Sequence, residues 1–204
     1  MVSAGGTQTV ASGGVASGTF VGIAGNEQIS SGGLVSGATV SGGTEHVFGG
    51  TILGTTLIAG SEYVYTSGLA SGTVVSPNGK LFVFAGSVGS NTVLTGGYEY
   101  LFSAGVGRGT VVDSGAVVQV LSAGMVSGAV VYGGGQETVL SGGNASGTIV
   151  SGGFDLVFGH ALDAVLVSGN STVRERVAAR AFEMQAARPT AVLPRQDLMI
   201  ERRY

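Results

Sequence analysis

The chain repeats itself every 17 to 19 residues, and so short a fixed period leaves few architectures open. One block reads Gly-Gly-Val-Ala-Ser-Gly-Thr-Phe-Val at 13–21, Gly-Gly-Leu-Val-Ser-Gly-Ala-Thr-Val at 32–40 and Gly-Gly-Asn-Ala-Ser-Gly-Thr-Ile-Val at 142–150. A second block alternates with it: Gly-Gly-Thr-Glu-His-Val at 42–47, Gly-Gly-Tyr-Glu-Tyr-Leu at 96–101 and Gly-Gly-Gln-Glu-Thr-Val at 134–139. The last apolar residues of the second block form a column: Val10, Ile29, Val47, Val64, Val83, Leu101, Val120, Val139 and Val157. The first block supplies a parallel one: Val21, Val40, Leu57, Val75, Val93, Val112, Val131, Val150 and Val167. Nine units are present, the last degenerate.

Each unit holds two runs of four to six residues rich in Val, Thr, Ile and aromatics, punctuated by Gly-Gly, Ser-Gly or Asn-Gly, which reads as strand, turn, strand, turn. One unit cannot bury its apolar face alone. Coiling the chain so that equivalent strands stack in parallel, about 4.8 Å apart, fuses the columns into one core. The expected fold is all-β: a single-stranded right-handed parallel β-helix of about nine coils over residues 1–169, a rod roughly 40 Å long. Glycine recurs at the corners because the chain must turn there with positive φ or without a Cβ. Gly, Pro and Ser make up about 31% of the chain, a low-complexity composition. Thirty valines argue against disorder, because a Gly/Ser spacer has no reason to keep an aliphatic column. An antiparallel sandwich explains the short strands but not the register of two columns through nine copies.

No glycine follows Gly169, and charge changes sign soon after: residues 1–173 carry −6 and 174–204 carry +3. Thr172-Val173-Arg174-Glu175 matches a capping box, predicting a helix over about 173–187, stopped by Pro189 and Pro194. Residues 170–204 thus read as a helical and extended tail, either a cap over the last coil's open edge or a mobile end. An acidic repeat region does not grip nucleic acid, whose phosphates require clustered Lys and Arg. There is no cysteine, no apolar run long enough for a membrane-spanning helix, and neither basic start nor apolar core of a signal peptide at Met1–Gly5.

The ingredients of catalysis are missing. Lys80 and Arg108, the repeat region's two basic residues, fall in different coils, and no nucleophile elbow, phosphate loop or dinucleotide fingerprint occurs. His46 and His160 lie six units apart and read as surface residues; His160 with Asp163 does not make a zinc site. No enzyme activity, cofactor or metal is expected.

Two residues before each second-block valine stand Gln8, Glu27, Glu45, Glu62, Glu99, Glu137 and Asp155, interrupted by Leu81 and Val118. Stacked acids repel unless solvated or bridged by a cation, and the Gly-Gly-x-Gly-x-Asp nonapeptides of calcium-binding solenoids are absent. The expectation is therefore a solvated corner residue, which requires a bend, since strict alternation would turn the glutamate to the valine's side. Flanking the same valines are His46 and Phe48, Tyr63 and Tyr65, Phe82 and Phe84, Tyr100 and Phe102 in four successive units. Alternation puts them outside as an aromatic stripe, the candidate interaction site. The competing readings are that the stacked rings only stabilise neighbouring coils, or that the faces are reversed. Thr19, Thr55, Thr73, Thr110 and Thr148 share a further column, but Phe20, Thr56, Val74, Val111 and Ile149 follow them, so the Thr-x-Thr ladder of an ice-binding solenoid fails.

The repeat, Ser-Gly-Gly-x-x-Ser-Gly-Thr-x-Val followed by Ser-Gly-Gly-x-Glu-x-Val, resembles the AIDA-type repeat of autotransporter adhesin passengers over about residues 2–169. Its best copies are Ser12 to Val21, Ser31 to Val47 and Ser141 to Val150. The resemblance implies a secreted or surface-displayed β-helical passenger of a Gram-negative outer membrane, mediating adhesion, self-association or biofilm formation and sometimes carrying sugars on Ser or Thr. Its partners would be a second copy or a host or cell-surface ligand. Similar repeats also precede other domains, including Hint domains. The ending matches neither a barrel nor a Hint domain, so the chain reads as a fragment or truncated remnant. The alternative role is a structural spacer for an absent processing or enzymatic domain.

Overall fold

The computed structural model describes residues 1–173, and these form a parallel β-solenoid. Each coil contributes a long strand, a side strand and a short strand; in the fourth these are Ser61–Tyr65, Leu69–Ser71 and Val74–Val75. Long and short strands stack into a 17-stranded sheet, and the side strands into a 9-stranded sheet that closes the coil opposite it. Every pairing between named strands is parallel and joins neighbouring layers, as in Glu62 beside Glu45 and Val64 beside Val47.

Two aliphatic columns run through the interior. Of the long-strand column, Ile29, Val47, Val64, Val83, Leu101, Val120, Val139 and Val157 are inaccessible, and Val10 is buried. Each meets its counterpart one layer away, for example Leu101 beside Val120 and Val120 beside Val139. The short-strand column needs two corrections. Leu94, not Val93, aligns with Val75 and Val112 and is inaccessible, whereas Val93 faces partly outward beside Val74. In the last coil Leu166, not Val167, lies beside Val150, and Val167 is 45% exposed. Both errors have one cause: in Val-Leu and Leu-Val pairs either residue satisfies the pattern, and the turn length before the strand decides which points in.

The corners are stacked too. Gly13 N–H donates to Gly32 O at 3.0 Å, and Gly18 N–H to Ser36 O at 2.8 Å, so turns as well as strands bond to the next layer. The final strand, Val165–Val173, continues past the boundary expected at 169; its residues 170–173 lie beside residues 154–157 and begin a further layer. The helix expected over 173–187, Pro189, Pro194 and the basic end lie outside the described residues, Val173 excepted.

Candidate functional site

On the outer side of the long strands, where residues alternate with the buried valines, the eight aromatic-stripe residues come together. The first column stacks His46 on Tyr63, Tyr63 on Phe82 and Phe82 on Tyr100, with ring centroids 4.9, 4.8 and 5.2 Å apart. The second stacks Phe48 on Tyr65, Tyr65 on Phe84 and Phe84 on Phe102 at 4.8, 5.0 and 4.7 Å. The reason is backbone geometry: in-register parallel strands hold equivalent side chains one strand spacing apart, which matches the separation of stacked rings.

Within a coil the rings lie side by side, His46 6.0 Å from Phe48 and Tyr63 6.4 Å from Tyr65, all nearly coplanar. The result is a ridged plate four coils long. Ring faces are covered by neighbouring coils, and ring edges point outward. Phe48 is 47% exposed and the other seven are half-buried. Tyr98 extends the plate, its ring 6.1 Å from Tyr100, at a position the sequence reading passed over. Gln28 and Gln119 bound the first column at either end. The Tyr65 hydroxyl lies 3.4 Å from His46 Nδ1, and partial burial lowers the His46 pKa and raises that of Tyr65. His160 is exposed in the last coil, remote from the plate.

The acid column is the larger surprise. No bend separates it from the valines: strict alternation holds, and the solvated position expected for these residues is incorrect. Glu27, Glu45, Glu62, Glu99 and Glu137 are inaccessible, and Asp155 is 3% exposed; Gln8, in the first coil, is half-buried. Glu27, Glu45 and Glu62 occupy three successive layers. Two ionised carboxylates ~5 Å apart would repel by about 3 kcal/mol at an effective dielectric of ~20, before any desolvation cost.

Threonines from the short-strand side converge on this column: Thr73, Thr110 and Thr148 of the column aligned in the sequence, and Thr92, which that alignment left out. Thr110 donates to Glu99 Oε2 at 2.9 Å, Thr92 to Glu99 Oε1 at 3.4 Å, Thr148 to Glu137 Oε1 at 3.0 Å and Thr73 to Glu62 Oε2 at 3.3 Å. The two columns do not vary coil by coil: Val118 shares its coil with Ala129, but Leu81 shares its coil with Thr92, and Glu27 and Asp155 share theirs with Ala38 and Ala164. Glu99, with Leu81 and Val118 in the adjoining layers and a hydroxyl on each oxygen, is pushed up by burial to about 7. Burial raises Glu45, Glu62 and Glu137 as well, and an acidic neighbour adds to it: Glu27, Glu45 and Asp155 respectively. Among the described residues no group of three or more His, Cys, Asp or Glu side chains is arranged to hold a metal ion.

No protein-family model matches the sequence, and no curated protein does. Among solved structures the chain is similar to the crystal structure of a TibC-catalysed hyper-glycosylated fragment of TibA, with a TM-score of 0.80 and 30% identity. That match covers 84% of this chain and 65% of the TibA fragment.

Proposed function

We propose that this chain, whose repeat resembles the AIDA-type repeat of autotransporter adhesin passengers, is a surface-displayed adhesin module whose aromatic plate mediates self-association or docking on a cell-surface ligand. The observation that supports this reading is the plate itself: eight rings stacked in two adjoining columns on one outer face of the rod, an ordered aromatic surface unlike the exposed apolar residues elsewhere, such as Ile23, Ile58 and Met125. Large exposed apolar patches mark contact surfaces, and aromatic residues are enriched in such surfaces. The solenoid supplies rigidity, holding the rings in place at little entropic cost on binding.

The reading is of a binding module rather than an enzyme. No helix among the described residues is long and apolar enough to cross a membrane; display at the surface or secretion follows from the family. The similar TibA fragment is hyper-glycosylated, and the exposed serines at the corners of this chain are the corresponding candidates for sugars. Changing Tyr63, Tyr65, Phe82 and Phe84 together to Ser is expected to reduce self-association in sedimentation velocity and clumping of cells displaying the chain. Unchanged sedimentation and clumping would remove the plate from the proposal and leave the rod as a spacer.

A further inference from the structure

Six of the eight acids in residues 1–173 stand in the buried column, and only Asp113 and Asp163 lie outside it. Among the described residues no cationic side chain faces the column. Lys80 and Arg108 are exposed, and the inward residues of the side strands opposite are Val35, Ile52, Ala70, Gly89, Gly107, Val126, Ala145 and Ala161, with Ala16 in the first coil. The short-strand side offers only Thr or Ala, and the adjoining positions in the long strands are the aliphatic column. Among the described residues the amino terminus is the one positive group that acts on the column, at Glu27. Gly89 and Gly107 make room for Glu99, whose Oε1 would lie 3.1 Å from a Cβ at Gly89.

Donors are too few for ionised carboxylates. Both oxygens of Glu27 and Glu45, Oε1 of Glu62 and Oε2 of Glu137 have no hydrogen-bond donor. Thr19 and Thr55 approach Glu27 and Glu45 closely enough to moderate the burial effect without closing a bond. A protonated carboxyl resolves the shortage, because one oxygen of each becomes a donor and a stack of neighbours supplies acceptors.

We propose that the column is a proton-binding site: the solenoid folds with its buried glutamates as neutral carboxylic acids and releases those protons only by loosening its coils, so that acid hardens the rod and alkali softens it. The sign follows from linkage. These carboxyls have folded pKa values raised above the ordinary 4.5. Their contribution to stability is therefore complete below about 4.5, falls as pH rises above it because the unfolded carboxyls ionise first, and is lost once pH passes the folded values, about 7 for Glu99 and about 8 for Glu45 and Glu137. Most proteins with paired carboxylates behave in the opposite sense.

The proposal also fixes the charge of the native chain. With the five buried glutamates neutral, the formal charge of −3 becomes −3 + 5 = +2. Isoelectric focusing of the intact chain, native and in urea, tests this without any substitution. The unfolded form is expected to focus near the sequence value of 5.3 and the native form at neutral pH or above; coincident positions would overturn the proposal. Infrared spectra of the native protein at pH 6 should show the C=O stretch of protonated carboxylic acid, and its absence would contradict it. The thermal midpoint should fall between about pH 5 and 8, and Glu45→Gln with Glu62→Gln, neutral at every pH, should flatten that fall. A wild-type midpoint that rises over this range, or a folded double variant with an unchanged slope, would count against it. Focusing and infrared still decide the matter if the variant does not fold.

Discussion

At the residue scale, two kinds of glycine hold the corners for different reasons. Gly54 has φ +67° and nothing within 4 Å of where a Cβ would stand, so its need is conformational. Gly33 has no such φ, but a Cβ there would sit 2.7 Å from Val10 O and 3.0 Å from Ser30 O, where successive coils touch. Gly54→Ala is expected to cost about 1 kcal/mol, the penalty of a left-handed alanine, and Gly33→Ala up to about 3 kcal/mol through overpacking between layers. Denaturant titration of both variants measures the difference; equal costs would mean the coils are not packed at that corner. That glycines mark corners was legible from the sequence. Which of a Gly-Gly pair turns the chain and which admits the neighbouring layer was not, because the second role depends on an atom 23 residues away in sequence. Alanine also takes the left-handed corner at Ala24, Ala104 and Ala123, so the positions are strained rather than forbidden to other residues.

At the scale of the strand, alternation proved more reliable than polarity. It placed the aromatic stripe outside correctly, and it would have placed the glutamates inside had their charge not argued otherwise. The missing information was partnership: threonine hydroxyls arrive from a strand 7 or 11 residues away, and the neutral form removes the cost that the expectation assumed. Covariation within a coil did not signal it, since Leu81 is accompanied by Thr92, and Glu27 and Asp155 by Ala38 and Ala164. Alternation fails where two aliphatic residues are adjacent, as at Val93-Leu94. There Leu94→Ala is expected to cost about 2 to 5 kcal/mol by opening a cavity in the core, whereas Val93→Ala should stay within roughly 1 kcal/mol. Urea midpoints of the two variants check this, and the reverse order would restore the register first read from the sequence.

At the scale of the whole molecule, period and layer are one thing: each 17–19-residue unit adds one strand spacing to the rod, and function is written in columns along it. The plate presents edges of stacked rings on the outside, and the acid column stores protons within. The two are independent, since the plate would survive substitution of the glutamates by glutamine and the column that of the rings by serine. The stacking itself can be measured directly, because the chain has no cysteine and Ser36, Ser90, Ser127 and Ser146 occupy one column of the side-strand sheet. Spin labels at introduced cysteines, Ser36 paired in turn with Ser90, Ser127 and Ser146, are separated by three, five and six layers. Pulsed dipolar spectroscopy should give narrow distances centred near ~14, ~24 and ~29 Å, rising by about 4.8 Å per layer. Broad distributions, or separations that do not grow in proportion to the number of layers, would contradict the stacked solenoid.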